Sequence, residues 1–121
     1  VKVIYPFPPN VLSPNARAHW SEIARHKKQV RHDGKYLTIV NKVSVTPDQP
    51  VILSIVFRPS TKCKYDIDNA FARCKALIDG IADALNVDDS QFLYQLSRGE
   101  PMKGGAVEIT FSQPNQVGTE A

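Results

Sequence analysis

Val51-Ile52-Leu53-Ser54-Ile55-Val56-Phe57 decides the reading of the fold. The run is short, apolar and rich in β-branched residues, which favours a buried strand over a helix. Downstream, from Asn69 to Leu85, the spacing changes: Phe71, Cys74, Leu77, Ile78, Ile81 and Leu85 fall on one face of a single helix. Gly80 inside it costs about 1 kcal/mol relative to Ala and implies close packing against a partner that the sequence does not name. Gln91–Ser97 and Ala106–Phe111 read as two strands. Met102-Lys103-Gly104-Gly105 stands at the end of their connection, so the two are expected to pair as a hairpin.

Upstream, Val1–Tyr5 reads as a short strand closed by Pro6-Phe7-Pro8-Pro9, and Ser13-Pro14-Asn15 as a turn. Ala16 to about Val45 is mostly helical, with Trp20, Ile23, Ala24, Val30 and Leu37 as its core positions and Gly34 as a point of termination or interruption. Thr46-Pro47-Asp48-Gln49-Pro50 is a turn. The order β-α-β-α-β-β predicts an α+β fold: one small domain, residues 1–111, with a mixed sheet packed against two main helices. Residues 112–121 are polar and aperiodic and are expected to form a flexible tail.

The chain has 121 residues, enough for one core without staples. Two cysteines, Cys63 and Cys74, make neither a disulfide scaffold nor a four-ligand zinc site. Cys74 lies on the apolar face and is expected to be buried. Cys63 stands between Lys62 and Lys64, but no base is identifiable beside it, and no catalytic role is expected of it. No segment reads as a signal peptide or a membrane span, and a cytoplasmic protein is expected. No Gly-rich phosphate loop is present, so no organic cofactor is expected.

The net charge of +3 conceals a segregation. Residues 1–65 hold 11 basic and 3 acidic residues; residues 66–121 hold 4 and 9. Arg17, Arg25, Lys27, Lys28, Arg31 and Lys35 line the polar side of the first helix, and Lys62 and Lys64 precede the acidic half. Such a distribution suits a polyanion, and equally a solvated helix face. His19, His26 and His32 belong to this basic region and have no acidic or cysteine partners at metal-ligand spacing.

The acidic half opens with Tyr65-Asp66-Ile67-Asp68-Asn69. In an extended segment, Asp66 and Asp68 leave the same face about 6–7 Å apart. Such carboxylates suit Mg²⁺ or Mn²⁺. Read structurally, Asp68 or Asn69 is a helix N-cap. On the helical wheel, Asp68, Lys75 and Asp79 form one polar stripe, and Lys75 and Asp79 are also an ordinary i,i+4 pair. Asp88-Asp89 follows the helix about 25 Å on and joins Asp66 only if the chain folds back. Read structurally, it is a turn before Ser90.

Three segments together resemble the RusA-type Holliday-junction resolvases, small endonucleases common in phages and prophages. They are Pro6-Phe7-Pro8-Pro9-Asn10, Asp66-Ile67-Asp68-Asn69 through Asp88-Asp89, and Lys103-Gly104-Gly105. Their order and spacing span nearly the whole chain. The resemblance implies that Asp66, Asp68 and Asp89 bind the catalytic Mg²⁺, with Asn69 and Asp88 in support. It also implies a homodimer acting on four-way or branched DNA in the cytoplasm of a bacterial host. The family's helical lysine falls at Ala72, a departure; Lys75 is the nearest replacement and aligns only with a short insertion after Asn69. Two rival readings stand beside it: a branched-DNA-binding protein without nuclease activity, and a metal-dependent nuclease for other branched DNA or RNA.

Overall fold

The structure is a computed structural model that describes residues 1–114. It contains β1 (Lys2–Pro6), a 3-10 turn (Asn10–Leu12), α1 (Trp20–Val40), β2 (Val51–Arg58), α2 (Ile67–Arg73), α3 (Lys75–Leu85), a second 3-10 turn (Asp89–Gln91), β3 (Phe92–Arg98) and β4 (Ala106–Ser112). The fold is α+β, with a mixed four-stranded sheet in the order β1-β4-β2-β3.

Alternation in β2 sends Val51, Leu53, Ile55 and Phe57 into the core, where they meet Val3, Tyr5, Val107, Ile109, Leu77, Ile78 and Ile81. Ile52, Ser54, Val56 and Arg58 alternate to the opposite face and are only half-buried. There Glu108 is nearly buried between Arg58, at 2.7 Å, and Lys2, at 3.7 Å. Arg58 holds the Glu108 carboxyl below the usual carboxylate range.

The expected hairpin of the last two strands does not form. β3 pairs parallel with β2, Val51 opposite Phe92, while β4 lies antiparallel between β1 and β2. The Gly99–Gly105 connection therefore passes across the end of β2, and the hydrogen bonds Gly99 N–H to Phe57 O and Met102 N–H to Pro59 O fasten it there. A parallel neighbour requires a crossover, and the helical segment between β2 and β3 supplies it.

The first helix is shorter than its apolar pattern suggests. His19 caps its start through Nδ1, which accepts from the Ser21 N–H, and the Asn41 side chain donates to the Leu37 carbonyl at its end. Trp20, expected in the core, is 75% exposed, because it opens the helix beyond the reach of the sheet. Gly34 does not interrupt the helix. It is buried, and a Cβ there would stand 2.7 Å from the Leu77 carbonyl oxygen. Gly80 of α3 answers it: its Cβ would stand 2.1 Å from the Arg31 carbonyl oxygen. These glycines let α1 and α3 cross with their backbones nearly touching. Thr38 completes the seam, donating to the Gly34 carbonyl and bonding the Tyr5 hydroxyl at 2.8 Å. The tail boundary at 111 falls inside β4; Ser112 closes that strand, and buried Gln113 bonds both Thr46 N–H and Thr46 O. The rest of the expected tail, 115–121, lies outside the described residues.

Candidate functional site

The single helix expected over Asn69–Leu85 is two helices. At Cys74 the backbone leaves helical geometry (φ −91°, ψ 4°) and its N–H turns to the Phe71 carbonyl, three residues back. No proline or glycine marks the joint. Cys74 is fully buried, and burial pushes its thiol up to about 12. The Asp68–Lys75–Asp79 stripe of a continuous helix is thereby divided.

Asp66 is the N-cap of α2. Its backbone is extended and its carboxylate accepts from the Asp68 N–H at 2.9 Å. The capping role thus falls to Asp66 rather than to Asp68 or Asn69, and Asp68 sits in the first helical turn, not in an extended pair with Asp66. A carboxylate at this end is favoured by the backbone N–H groups that open a helix. Asp68 is exposed, and its carboxylate has no hydrogen bond or ion pair among the described residues.

The second group forms beyond the joint. Lys75 reaches Asp79 at 3.2 Å and Asp89 at 2.8 Å, and these bonds raise its ammonium above the ordinary lysine value, Asp89 contributing most. The chain does fold back after α3, bringing Asp89 to Lys75. Asp88 caps the second 3-10 turn by accepting from the Ser90 N–H at 2.9 Å, which holds its carboxyl below the usual range. Asp66 and Asp68 do not join this group. Among the described residues, no three His, Cys, Asp or Glu side chains stand together as a metal site.

A cleft of about 520 Å³ opens where β1, α2 and the turn before β4 meet. Phe7, Pro8, Pro9 and Asn10 form one wall, Asp66, Asn69, Ala70 and Arg73 another, and Gly104 and Gly105 a third. Both glycines have positive φ, 82° and 76°, which an L side chain adopts only with strain. Beside the cleft, and sharing Pro59, Cys63 and Tyr65 with it, runs an open groove lined by Lys62, Lys64, Arg58 and Arg98. Arg98 lies over the Tyr65 ring at 4.8 Å and donates to the Tyr65 carbonyl.

The basic residues of α1 occupy other ground. Lys27, Lys28 and Arg31 line a groove with Lys75, Ala76 and Asp79. Arg31 is already clasped to Asp83 through two bonds, at 2.7 and 2.9 Å. Arg17 is exposed before the helix, and Arg25 contacts His26 at 3.4 Å. Arg73 was not singled out by the sequence. The available signal was a basic residue directly preceding a core position, Cys74.

No family model matches the chain. A Xylella fastidiosa protein described as uncharacterized is 38% identical over 114 residues, covering 88% of this chain and 72% of its own length. The chain belongs to the same family as that Xylella protein. Among solved structures, the periplasmic domain of Helicobacter pylori MotB aligns over 97% of this chain and 85% of its own, with a TM-score of 0.41 and 21% identity. A likeness at that score carries no argument. Among the described residues, no helix is long and apolar enough to cross a membrane.

Proposed function

We propose that this chain is a RusA-type, Mg²⁺-dependent endodeoxyribonuclease that resolves four-way DNA junctions by paired nicks, acting as a homodimer in the bacterial cytoplasm. One observation carries the reading. The proline-rich segment, Asp66 and Asn69 of the acidic motif, and the Gly104-Gly105 turn, far apart in sequence, line a single cleft beside a basic groove. The joint at Cys74, immediately before Lys75, also falls where the resemblance requires an insertion.

The donor chemistry fits the metal. Asp66 and Asp68 offer hard carboxylate oxygens, and Mg²⁺ is commonly held by one or two carboxylates completed by substrate phosphates and water. Asp66 and Asp68 are its proposed holders; Asp89, which the resemblance adds, is bonded to Lys75 instead. When bound, the ion supplies water activation and neutralises charge on the phosphate. The chain's own residues do the rest. Lys62 and Lys64 attract the DNA backbone, Asn69 offers an amide at the cleft wall, and Lys75 holds Asp89 in a fixed orientation. A two-fold dimer places one cleft on each of two opposed strands.

A second reading, a junction-binding protein without nuclease activity, draws on the separation of the aspartates and on the neutralisation of Lys75 by Asp79 and Asp89. An end-labelled four-way junction and a matching duplex, each with and without Mg²⁺, separate the two. Paired, Mg²⁺-dependent nicks in the junction alone are expected, lost in Asp68→Asn with binding retained. Salt-sensitive binding without cleavage in Mg²⁺ or Mn²⁺ establishes the second reading instead. Cleavage by Asp68→Asn with unchanged metal dependence removes Asp68 from the site.

A further inference from the structure

Lys75, the cation that the sequence brings forward, is neutralised twice over and contributes to no wall of the cleft. Arg73 contributes to one. Its guanidinium lies over the Phe7 ring, 4.7 Å from the centroid, and one terminal nitrogen donates to the Pro8 carbonyl. Its Nε is buried without a hydrogen-bond partner, and no carboxylate pairs with it among the described residues. Burial pulls this guanidinium below its ordinary value, and arginine side chains stay protonated in proteins. The cleft therefore contains a positive charge that no carboxylate among the described residues pairs with, pre-oriented by an aromatic face and a carbonyl. An arginine so held matches oxyanion geometry: planar, multidentate and already ordered.

We propose that Arg73 is a phosphate-binding residue of the cleft, seating a backbone phosphodiester of the nucleic acid against the wall that carries Asp66 and Asn69. The proposal rests on the nucleic-acid reading above but not on cleavage. It also reassigns the site's working cation from Lys75 to Arg73. Seating a phosphate there brings the charged backbone to the aspartate-bearing end of α2 and offsets the negative charge that otherwise repels DNA.

The test measures binding in EDTA, so that absence of cleavage leaves it intact. A fluorescent four-way junction is titrated with the parent protein, Arg73→Gln and Arg73→Lys across a range of salt. Arg73→Gln is expected to weaken binding about tenfold and to reduce the salt slope by about one phosphate contact. Arg73→Lys is expected to restore the slope and part of the affinity. Unchanged affinity and slope in a folded Arg73→Gln protein overturn the proposal and leave Arg73 as a strut between α2 and Pro8. Should that variant not fold, the Nε–H resonance of Arg73 in the parent protein decides. A shift on adding the oligonucleotide supports the proposal. A shift with inorganic phosphate alone retains the anion seat but overturns the nucleic acid as its source. No shift with either overturns both.

Discussion

The helices α2 and α3 are neighbours in one continuous apolar pattern, yet they are built to different ends. In α3, Ala76, Leu77, Ile78, Gly80, Ile81 and Ala82 are all buried. In α2 only Ala70 is. α3 is explained by packing: small residues at the crossing, large ones toward the sheet. α2 is not. It is seven residues long, shorter than an isolated helix can sustain, and depends on its Asp66 cap and on the Phe71–Tyr94 edge contact, at 4.9 Å. Of its polar residues, Asp68 and Asn69 have no side-chain hydrogen bond or ion pair among the described residues, and Arg73 bonds Pro8 while its Nε has no partner. Residue types left unexplained by stability, on a short element beside a cleft, are where a binding function resides.

Five measurements sharpen or break that contrast. The largest effect is expected on the α2 side: Asp68→Asn lowers junction cleavage at least about 100-fold. Its melting temperature should stay near the parent's, since the exposed carboxylate carries no bond among the described residues. A large stability loss there breaks the contrast. Gly80→Ala reverses the pattern. The added methyl collides with the Arg31 carbonyl, and urea unfolding should show a loss of about 2–3 kcal/mol despite the better helix propensity of alanine. Lys75→Ala stands between the two regions. Its ion pairs are exposed, so stability should fall by less than about 1 kcal/mol, and thermal melts beside cleavage rates show whether activity falls further.

Asp83→Asn tests the clasp between α1 and α3. Arg31 holds the Asp83 carboxyl below its ordinary 3.8, so the pair's contribution is fully present above that value and is lost as pH falls through the lowered one. The variant should melt slightly earlier at neutral pH, and the gap should close in a melting series carried into strong acid. The last measurement costs no stability at all. Exposed Cys63 should react with a thiol reagent in the native protein and Cys74 only on unfolding, because Cys74 is fully buried. Early labelling of Cys74 would reveal a loose joint between the two helices.

Much of this architecture was written in the sequence, and the failures have identifiable causes. All four strands and the long helix follow from alternation and periodicity, because burial on one face imposes those periods. The hairpin expectation failed because a seven-residue connection containing Gly104-Gly105 serves a hairpin or a passage over a neighbouring strand equally well. The joint at Cys74 was hidden because Phe71, Cys74, Leu77 and Ile78 keep helical spacing across it. Trp20 was misplaced because periodicity cannot report where a helix outruns its partner. Within the site, the Asp88 turn and the Lys75–Asp79 pair were foreseeable from local chemistry, whereas the return of Asp89 was left open and brings it to Lys75 rather than to Asp66. The cap at Asp66 is a local bond, shifted two residues from the position expected; the meeting of Phe7, Arg73 and Gly105 depends on tertiary convergence, which no local window contains.

The position of β4 has a consequence for biogenesis. The last strand among the described residues is an interior strand of the sheet, flanked by β1 and β2. While residues 106–112 are still within the ribosome, the nascent chain has two hydrophobic strands with no shared neighbour, each presenting open backbone donors and acceptors to other chains. Folding of this domain therefore waits until residues 106–112 have left the ribosome. Termination shortly before Ala106 should leave not a weakened protein but an insoluble one.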